Sequence, residues 1–348
     1  MPPLSTEVSP LLTKDVTETL ARQGVKTVAE YVRRELVPLS RTSGLPYKLL
    51  IAVRQCLLAQ FAPTPTTAAD IWRDLGDTTA LLPTGCSNLD TLLGGGVMTG
   101  ELTELTGVPA SGKTQLCHSL AVAGVLHSNS TVLWVDSTGG FSATRLHSVL
   151  TNTPPSGQAS ERMLERIKVH RLFNLFDLMN LLEATSKQVS NQTDWFHANL
   201  HLVLIDSVTP LLSPLLGGHG GQGHALLSCL AALLRSIAHE HSIAVVYTNN
   251  TVSDMTKSEG VKPSLGQTWA CVPHTRVSLS PPSHSAASWP HHPQPPSSPQ
   301  VVESGERVAK LTKSSRLAVD VCTSCVITDR ASFQTHPTRP NFTVVYKI

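Results

Sequence analysis

Apolar residues recur along this chain with two different periods, and the switch between them divides it. Through residues 1–61 the spacing is helical. Thr13 stands where it can cap a helix that stops at Gly24, and Thr27 can cap a second one. A short Val37–Arg41 segment follows, and Ser43-Gly44-Leu45-Pro46 then opens an amphipathic helix through Leu49, Leu50, Val53, Leu57 and Leu58. Ala62-Pro-Thr-Pro-Thr-Thr makes residues 62–81 read as a stiff linker.

From about Leu82 buried-strand runs alternate with helical stretches. Strands are expected at Leu102–Thr106, Thr131–Asp136, Ile167–His170, Leu200–Asp206 and Ile243–Thr248. Helices are expected over Gln115–Leu126, over most of the stretch up to Gln188, and over Ala225–His241. Such alternation implies an α/β fold with a mainly parallel sheet, here a core of 82–280 preceded by a small all-helical domain. Residues 281–304 are rich in Pro, Ser and His and read as a disordered insertion with solvated histidines. Residues 305–316 close the core, and 317–348 form a divergent tail with no functional reading.

Short helices joined by glycine turns suit either a DNA clamp or a protein-docking bundle, and the sequence does not separate the two for residues 1–61. A formal net charge of +2 gives no broad basic field, so any nucleic-acid surface has to be a local patch. The seven cysteines are odd in number and scattered, as reduced thiols of the cytosol or nucleus are. Cys322 and Cys325 form a lone pair, short of the four ligands of a structural zinc. The N-terminus lacks the pattern of a signal peptide and no apolar run approaches ~20 residues, so neither secretion nor a membrane span is expected.

The chemistry concentrates in Gly107-Val108-Pro109-Ala110-Ser111-Gly112-Lys113-Thr114, followed by Gln115. It fits G-x-x-x-x-G-K-[ST] and has a strand before it and a helix after it, the context such a phosphate loop requires. Its glycines let backbone N–H groups approach phosphates at a helix N-terminus, and Lys113 can reach the terminal phosphates of ATP. Thr114 is the candidate hydroxyl ligand of Mg²⁺, and Asp206, ending an apolar strand, the candidate acidic residue for the same metal. Hydrolysis also needs a group to orient water, and at the end of the Thr131–Asp136 strand only Asp136 carries a carboxylate. A turn-forming role for Asp136 before Gly139-Gly140 fits equally well.

Leu82-Pro-Thr-Gly85 through Glu104, Val135-Asp-Ser-Thr-Gly-Gly-Phe-Ser-Ala-Thr-Arg145, Leu204-Ile-Asp206-Ser and Val246-Tyr-Thr248-Asn249-Asn250 together resemble the RecA-like recombinase family of eukaryotes. Within it they are similar to the D-type paralogue of the strand-exchange recombinase, a likeness extended by Ser213–Gly218, Lys262–Gly266 with Trp269, and Ala309–Arg316. The resemblance implies an ATP-binding core, work in homologous recombination repair in the nucleus, and binding of single-stranded DNA. It implies assembly with sister paralogues, one docked through the N-terminal domain and the C-type through the ATPase core. It also makes Lys113 and Asp206 catalytic, with Asn249 a further catalytic candidate. Ser213–Gly223 and Val252–Leu265 would then be DNA-facing loops offering Lys257 and Lys262, although two lysines also suit ordinary flexible loops.

The chain departs from the family in three places. Thr138 stands where the recombinases carry a catalytic Glu, which favours a weak DNA-dependent ATPase, or an ATP-gated scaffold of a paralogue complex with little turnover. Pro65 stands where they carry the Phe that anchors a neighbouring subunit, and nothing after Arg316 resembles their last strands.

Overall fold

The computed structural model describes residues 3–61, 65–126, 129–152, 159–216, 222–254, 260–282, 305–327 and 333–335, in two units, Met1–Leu75 and Gly76–Ile348. Most of the expected Pro/Ser/His-rich insertion, 283–304, lies outside them.

In the first unit, helices α1 (Lys14–Arg22), α2 (Val28–Arg33), α3 (Leu36–Ser43) and α4 (Tyr47–Phe61) close around Leu20, Tyr31, Leu39, Leu50 and Leu57. Thr27 and Glu30 cap α2 reciprocally, and backbone N–H groups of Lys26 and Thr27 hold the Glu30 carboxyl below its ordinary pKa. Gly24, at positive φ, ends the first helix as expected, and Gly44, also at positive φ, ends the third just before the fourth begins. The linker reading of 62–81 needs correcting, because α5 (Ala68–Thr78) lies within it. Prolines stop at Pro65; beyond them Thr67 pairs with Asp70 across the first turn, and the residues that follow favour helix.

The second unit opens with the small ribbon β1 (Leu81–Leu82) and β2 (Val97–Met98), which encloses α6 (Ser87–Leu92). The chain then runs through β3 (Leu102–Gly107), α7 (Lys113–Leu126), β4 (Thr131–Asp136), α8 (Ala143–Asn152), α9 (Ala159–Leu164), β5 (Ile167–Arg171) and α10 (Leu175–Ser190). It continues as α11 (Trp195–Ala198), β6 (Leu200–Asp206), α12 (Thr209–Leu216), α13 (Gln222–His241), β7 (Ala244–Asp254), β8 (Gly260–Pro263) and α14 (Gly266–Ala270). The last elements are β9 (Thr275–Ser280), β10 (Glu306–Lys313), β11 (Cys322–Ile327) and β12 (Phe333–Thr335).

Strand order across the main sheet is β12-β11-β10-β9-β3-β7-β6-β4-β5, with β8 folded back on β7. The strands from β9 to β5 are parallel, and the β9–β12 flank is antiparallel. Every residue of β3 and β4 is buried, and separate apolar clusters cover the two faces of the sheet, one around Trp134 and Leu120 and the other around Tyr247 and Trp269. No helix among the described residues is long and apolar enough to cross a membrane.

The expected end of the core at Arg316 is also corrected. Strand β11 pairs with β10 along its length, Arg307 opposite Cys325, and Thr323 and Cys325 face inward. Truncation after Arg316 removes Val321 and Cys325 from the core and should lower stability by about 3 kcal/mol or more. Urea unfolding of the full and truncated chains measures this; equal midpoints would show that β11 does not support the core.

Candidate functional site

The phosphate loop leaves the centre of the sheet at Gly107. A Cβ there would stand 2.4 Å from the Leu279 carbonyl oxygen and 2.4 Å from Ser111 Oγ, so only glycine fits between β9 and the loop. Gly112 and Ala110 both take positive φ, which curls the segment into α7. Lys113 is buried and donates from Nζ to the carbonyls of Gly107 at 2.8 Å and Val108 at 3.0 Å. Burial pulls its pKa below the ordinary lysine value, and the Asp206 carboxylate opposes that shift. Among the described residues, the hydroxyl of Ser111 and Oε1 of Gln115 are buried with no hydrogen-bond partner. A loop with a buried cation, a free hydroxyl and an approach open only to glycine fits a polyphosphate.

The expected metal pair comes together. Thr114 Oγ1 donates to Asp206 Oδ2 at 2.7 Å, and Thr248 Oγ1 donates to Oδ1 of the same carboxylate at 2.5 Å. A hydroxyl and a carboxylate side by side at the mouth of the loop are hard oxygen donors of the kind that hold Mg²⁺. The Thr138 side chain reaches the Asp206 carbonyl at 3.5 Å. A Cβ built on Gly140 would lie 3.1 Å from Thr114 Cγ2 and 3.5 Å from Asp206 Oδ2. The loop after β4 therefore abuts Thr114 and Asp206, with the Thr138 hydroxyl on the Asp206 backbone.

For Asp136 the structure favours the turn-forming alternative. The residue is fully buried, and its Oδ1 accepts from the backbone N–H groups of Thr138, Gly139 and Gly140. Oδ2 accepts from Phe141 N at 3.4 Å and lies 3.7 Å from Arg171 Nε. This carboxylate shapes the loop that carries Thr138. Asn249 is likewise committed at both ends of its amide: it donates to Glu104 Oε1 at 2.7 Å and accepts from Thr209 at 2.9 Å and Ser264 at 2.8 Å. It is a junction between strands and loops.

Sequence reasoning assigns no role to Glu104 or Arg276, which form a buried ion pair beside Asn249. A carboxylate inside the otherwise apolar strand Leu102-Thr-Glu-Leu105 is the available signal. It also passes over His118. Ser142 N–H can only donate, and it points to His118 Nε2 at 3.1 Å, so Nδ1 carries the proton given to Thr114 O at 2.8 Å. His118 thereby ties the first turn of α7 to the loop after Asp136.

Of the two expected loops, the first is described only to Leu216, inside α12, and then from Gln222. The second is a hairpin in which Val252 of β7 faces Lys262 of β8. Lys262 is exposed, and Lys257 lies outside the described residues. Among the described residues no group of three or more His, Cys, Asp and Glu side chains stands where it could hold a metal ion.

Comparison with known proteins adds two family matches: the model described as Rad51 fits residues 77–283, and the one described as RAD51D, N-terminal domain, fits residues 1–60. The chain is 39% identical over 311 residues to the Bos taurus "DNA repair protein RAD51 homolog 4", covering 88% of this chain and 90% of that one. It is 39% identical to its Mus musculus counterpart, covering 78% of this chain and 82% of that one. With the Saccharomyces cerevisiae "DNA repair protein RAD51" the identity is 33%, over 50% of this chain and 43% of that one.

Two outcomes follow from the geometry. Replacing Asp136 by Ala leaves several loop N–H groups without an acceptor and should cost roughly 2–4 kcal/mol in urea unfolding; an unchanged midpoint would return Asp136 to the catalytic candidates. Burial holds the His118 pKa below its ordinary 6.5. The unfolded chain therefore binds this proton first, and the stability due to neutral His118, complete above that pH, is lost as pH falls through and below it. Unfolding midpoints should drop between about pH 7.5 and about pH 5.5, and His118→Gln should flatten part of that slope. An equally steep slope in the variant would exclude His118 as a source of it.

Proposed function

The chain belongs to the Rad51 family, and from that premise we propose that it is a recombinase paralogue that binds Mg-ATP and single-stranded DNA. It assists the strand-exchange recombinase in homologous recombination repair of double-strand breaks, interstrand crosslinks and stalled forks in the nucleus. Rad51-family proteins are RecA-like, ATP-binding and DNA-binding factors of DNA repair and recombination, which gives the proposal its frame. The observation that carries the nucleotide part is the 2.7 Å contact of Thr114 with Asp206 beside buried Lys113.

In this reading the backbone of residues 107–115 cradles the phosphates, Lys113 reaches the terminal ones, and Thr114 and Asp206 hold Mg²⁺. The metal, when bound, neutralises charge between the outer phosphates. Asp136 and His118 keep the 137–142 loop against the pair. Thr138 brings no carboxylate to orient water, and loss of such a group typically lowers rates by ~10²–10⁴. That residue favours the second reading, an ATP-gated scaffold in which nucleotide orders a subunit interface and DNA-dependent hydrolysis is slow.

Sister paralogues are the proposed partners, one docked through the helical unit of residues 1–61 and the C-type through the ATPase core. Single-stranded DNA would meet the Val252–Leu265 hairpin, with Lys262 and Lys257 as phosphate contacts.

Calorimetric titration should give Mg-ATP binding that Lys113→Ala weakens about 10–100-fold, the loss expected for a charge-assisted contact. Unchanged affinity in the folded variant would remove the site assignment. Hydrolysis by the chain alone should be slow and should rise about a hundredfold in Thr138→Glu. Fast DNA-stimulated turnover by the unmodified chain would remove the scaffold reading. Co-purification should bring down the C-type paralogue with residues 76–348 and another with residues 1–61; DNA bound by the helical unit without any paralogue would replace docking with the clamp reading.

A further inference from the structure

Strand β10 begins within reach of the phosphate loop. Arg307 is its second residue, and Nη2 of its guanidinium lies 3.5 Å from the carbonyl oxygen of Ala110, at the crest of the loop. Nη1 donates to the Glu306 carbonyl at 2.7 Å, which holds the fork across the end of the strand. The register of this arginine is fixed from outside. It stands opposite Cys325 in the β10–β11 ladder, Cys325 Sγ donates to the Arg307 carbonyl at 3.7 Å, and Asn88 Nδ2 anchors β11 through the Ser324 carbonyl at 2.8 Å.

Lys113 makes the same kind of contact on the other limb of the loop, on the carbonyls of Gly107 and Val108. Two cations from distant parts of the chain therefore rest on carbonyls of one short loop. A carbonyl is a weaker partner for a cation than a phosphate oxygen, because the phosphate adds a full negative charge and accepts from a guanidinium in a bidentate fork. The planar guanidinium also matches two phosphate oxygens at once, which an ammonium does not.

We propose that Arg307 is a nucleotide-binding residue, a second cation that exchanges the Ala110 carbonyl for the phosphate chain of a nucleotide held by residues 107–115. The inference rests on the ATP-binding reading of that loop and adds a residue to it. It also connects the chain beyond Arg316 to the site, since β11 keeps β10 in the register that aims Arg307 at the loop. Nucleotide affinity then depends on the antiparallel flank as well as on the loop itself.

The test titrates the full chain with Mg-ATP and with Mg-ADP by calorimetry, as wild type, Arg307→Ala, Arg307→Lys and Lys113→Ala, with thermal midpoints taken in the absence of nucleotide. Arg307→Ala should weaken both nucleotides about tenfold, and Arg307→Lys should weaken them less because the charge remains. The salt dependence of binding should fall in Arg307→Ala, and both midpoints should match wild type. Wild-type affinity in Arg307→Ala, beside a Lys113→Ala chain that has lost binding, overturns the role of Arg307 and leaves the ATP reading standing. A lowered midpoint in Arg307→Ala with no rescue by Lys also overturns it, by showing a packing role. Failure of the wild type to bind either nucleotide overturns the ATP reading itself.

Discussion

A carboxylate buried at the end of a central strand must be satisfied where it stands, and Asp206 is satisfied by two threonines from different elements. Thr114 comes from the first turn of α7 and Thr248 from β7. This three-way contact sets how far the phosphate-loop helix sits from the sheet, and it places the hydroxyl and the carboxylate side by side before any ligand is considered. The surrounding groups conform to it. Gly140 leaves room beside the pair, Thr138 leans on the Asp206 backbone, and Asp136 curls the loop that brings both there. Removing one threonine would expose a buried charge to an incomplete shell, which costs more than the hydrogen bond it forms.

A second polar junction lies one strand away and has a different role. The Asn249 amide joins Glu104 in the strand that feeds the phosphate loop to Thr209 just past Asp206 and to Ser264 just past the β7–β8 hairpin. Arg276 completes it from β9. Every member is a buried or half-buried polar group with a named partner, the condition under which such a network rigidifies a core. The roots of both expected DNA-facing segments thus share one amide with the strand that ends in the nucleotide loop.

Much of this is legible in the sequence wherever the signal is local. The phosphate-loop spacing, the apolar run ending in Asp206 and the cap at Thr27 depend on residues a few positions apart: the loop joins β3 to α7, Asp206 ends β6, and Thr27 caps α2. Signals spread across the chain are lost. Cys322-Thr-Ser-Cys325 alternates inward and outward as a strand should, yet its small polar residues hide the pattern and make it read as part of a tail. Prolines at 63 and 65 mask the helix starting at Ala68. The turn-forming and catalytic readings of Asp136 are identical in one dimension; only four converging N–H groups separate them. Glu104 is in plain view as a charge within an apolar strand, but its partners Asn249 and Arg276 lie more than a hundred positions away.

The tight fit of Gly107 against Leu279 has a consequence for how the protein is made. Strand β3 leaves the ribosome early, but the two strands it pairs with, β7 and β9, are translated some 140 and 170 residues later. Until then a fully buried strand has no neighbours, and the phosphate loop lacks the wall that gives it shape. The helical unit of residues 1–61 can fold as it emerges, whereas the nucleotide site cannot mature before β9 has been synthesised. Nascent chains halted anywhere in between would carry an exposed apolar sheet, making this stretch of translation the period in which the protein most needs a chaperone.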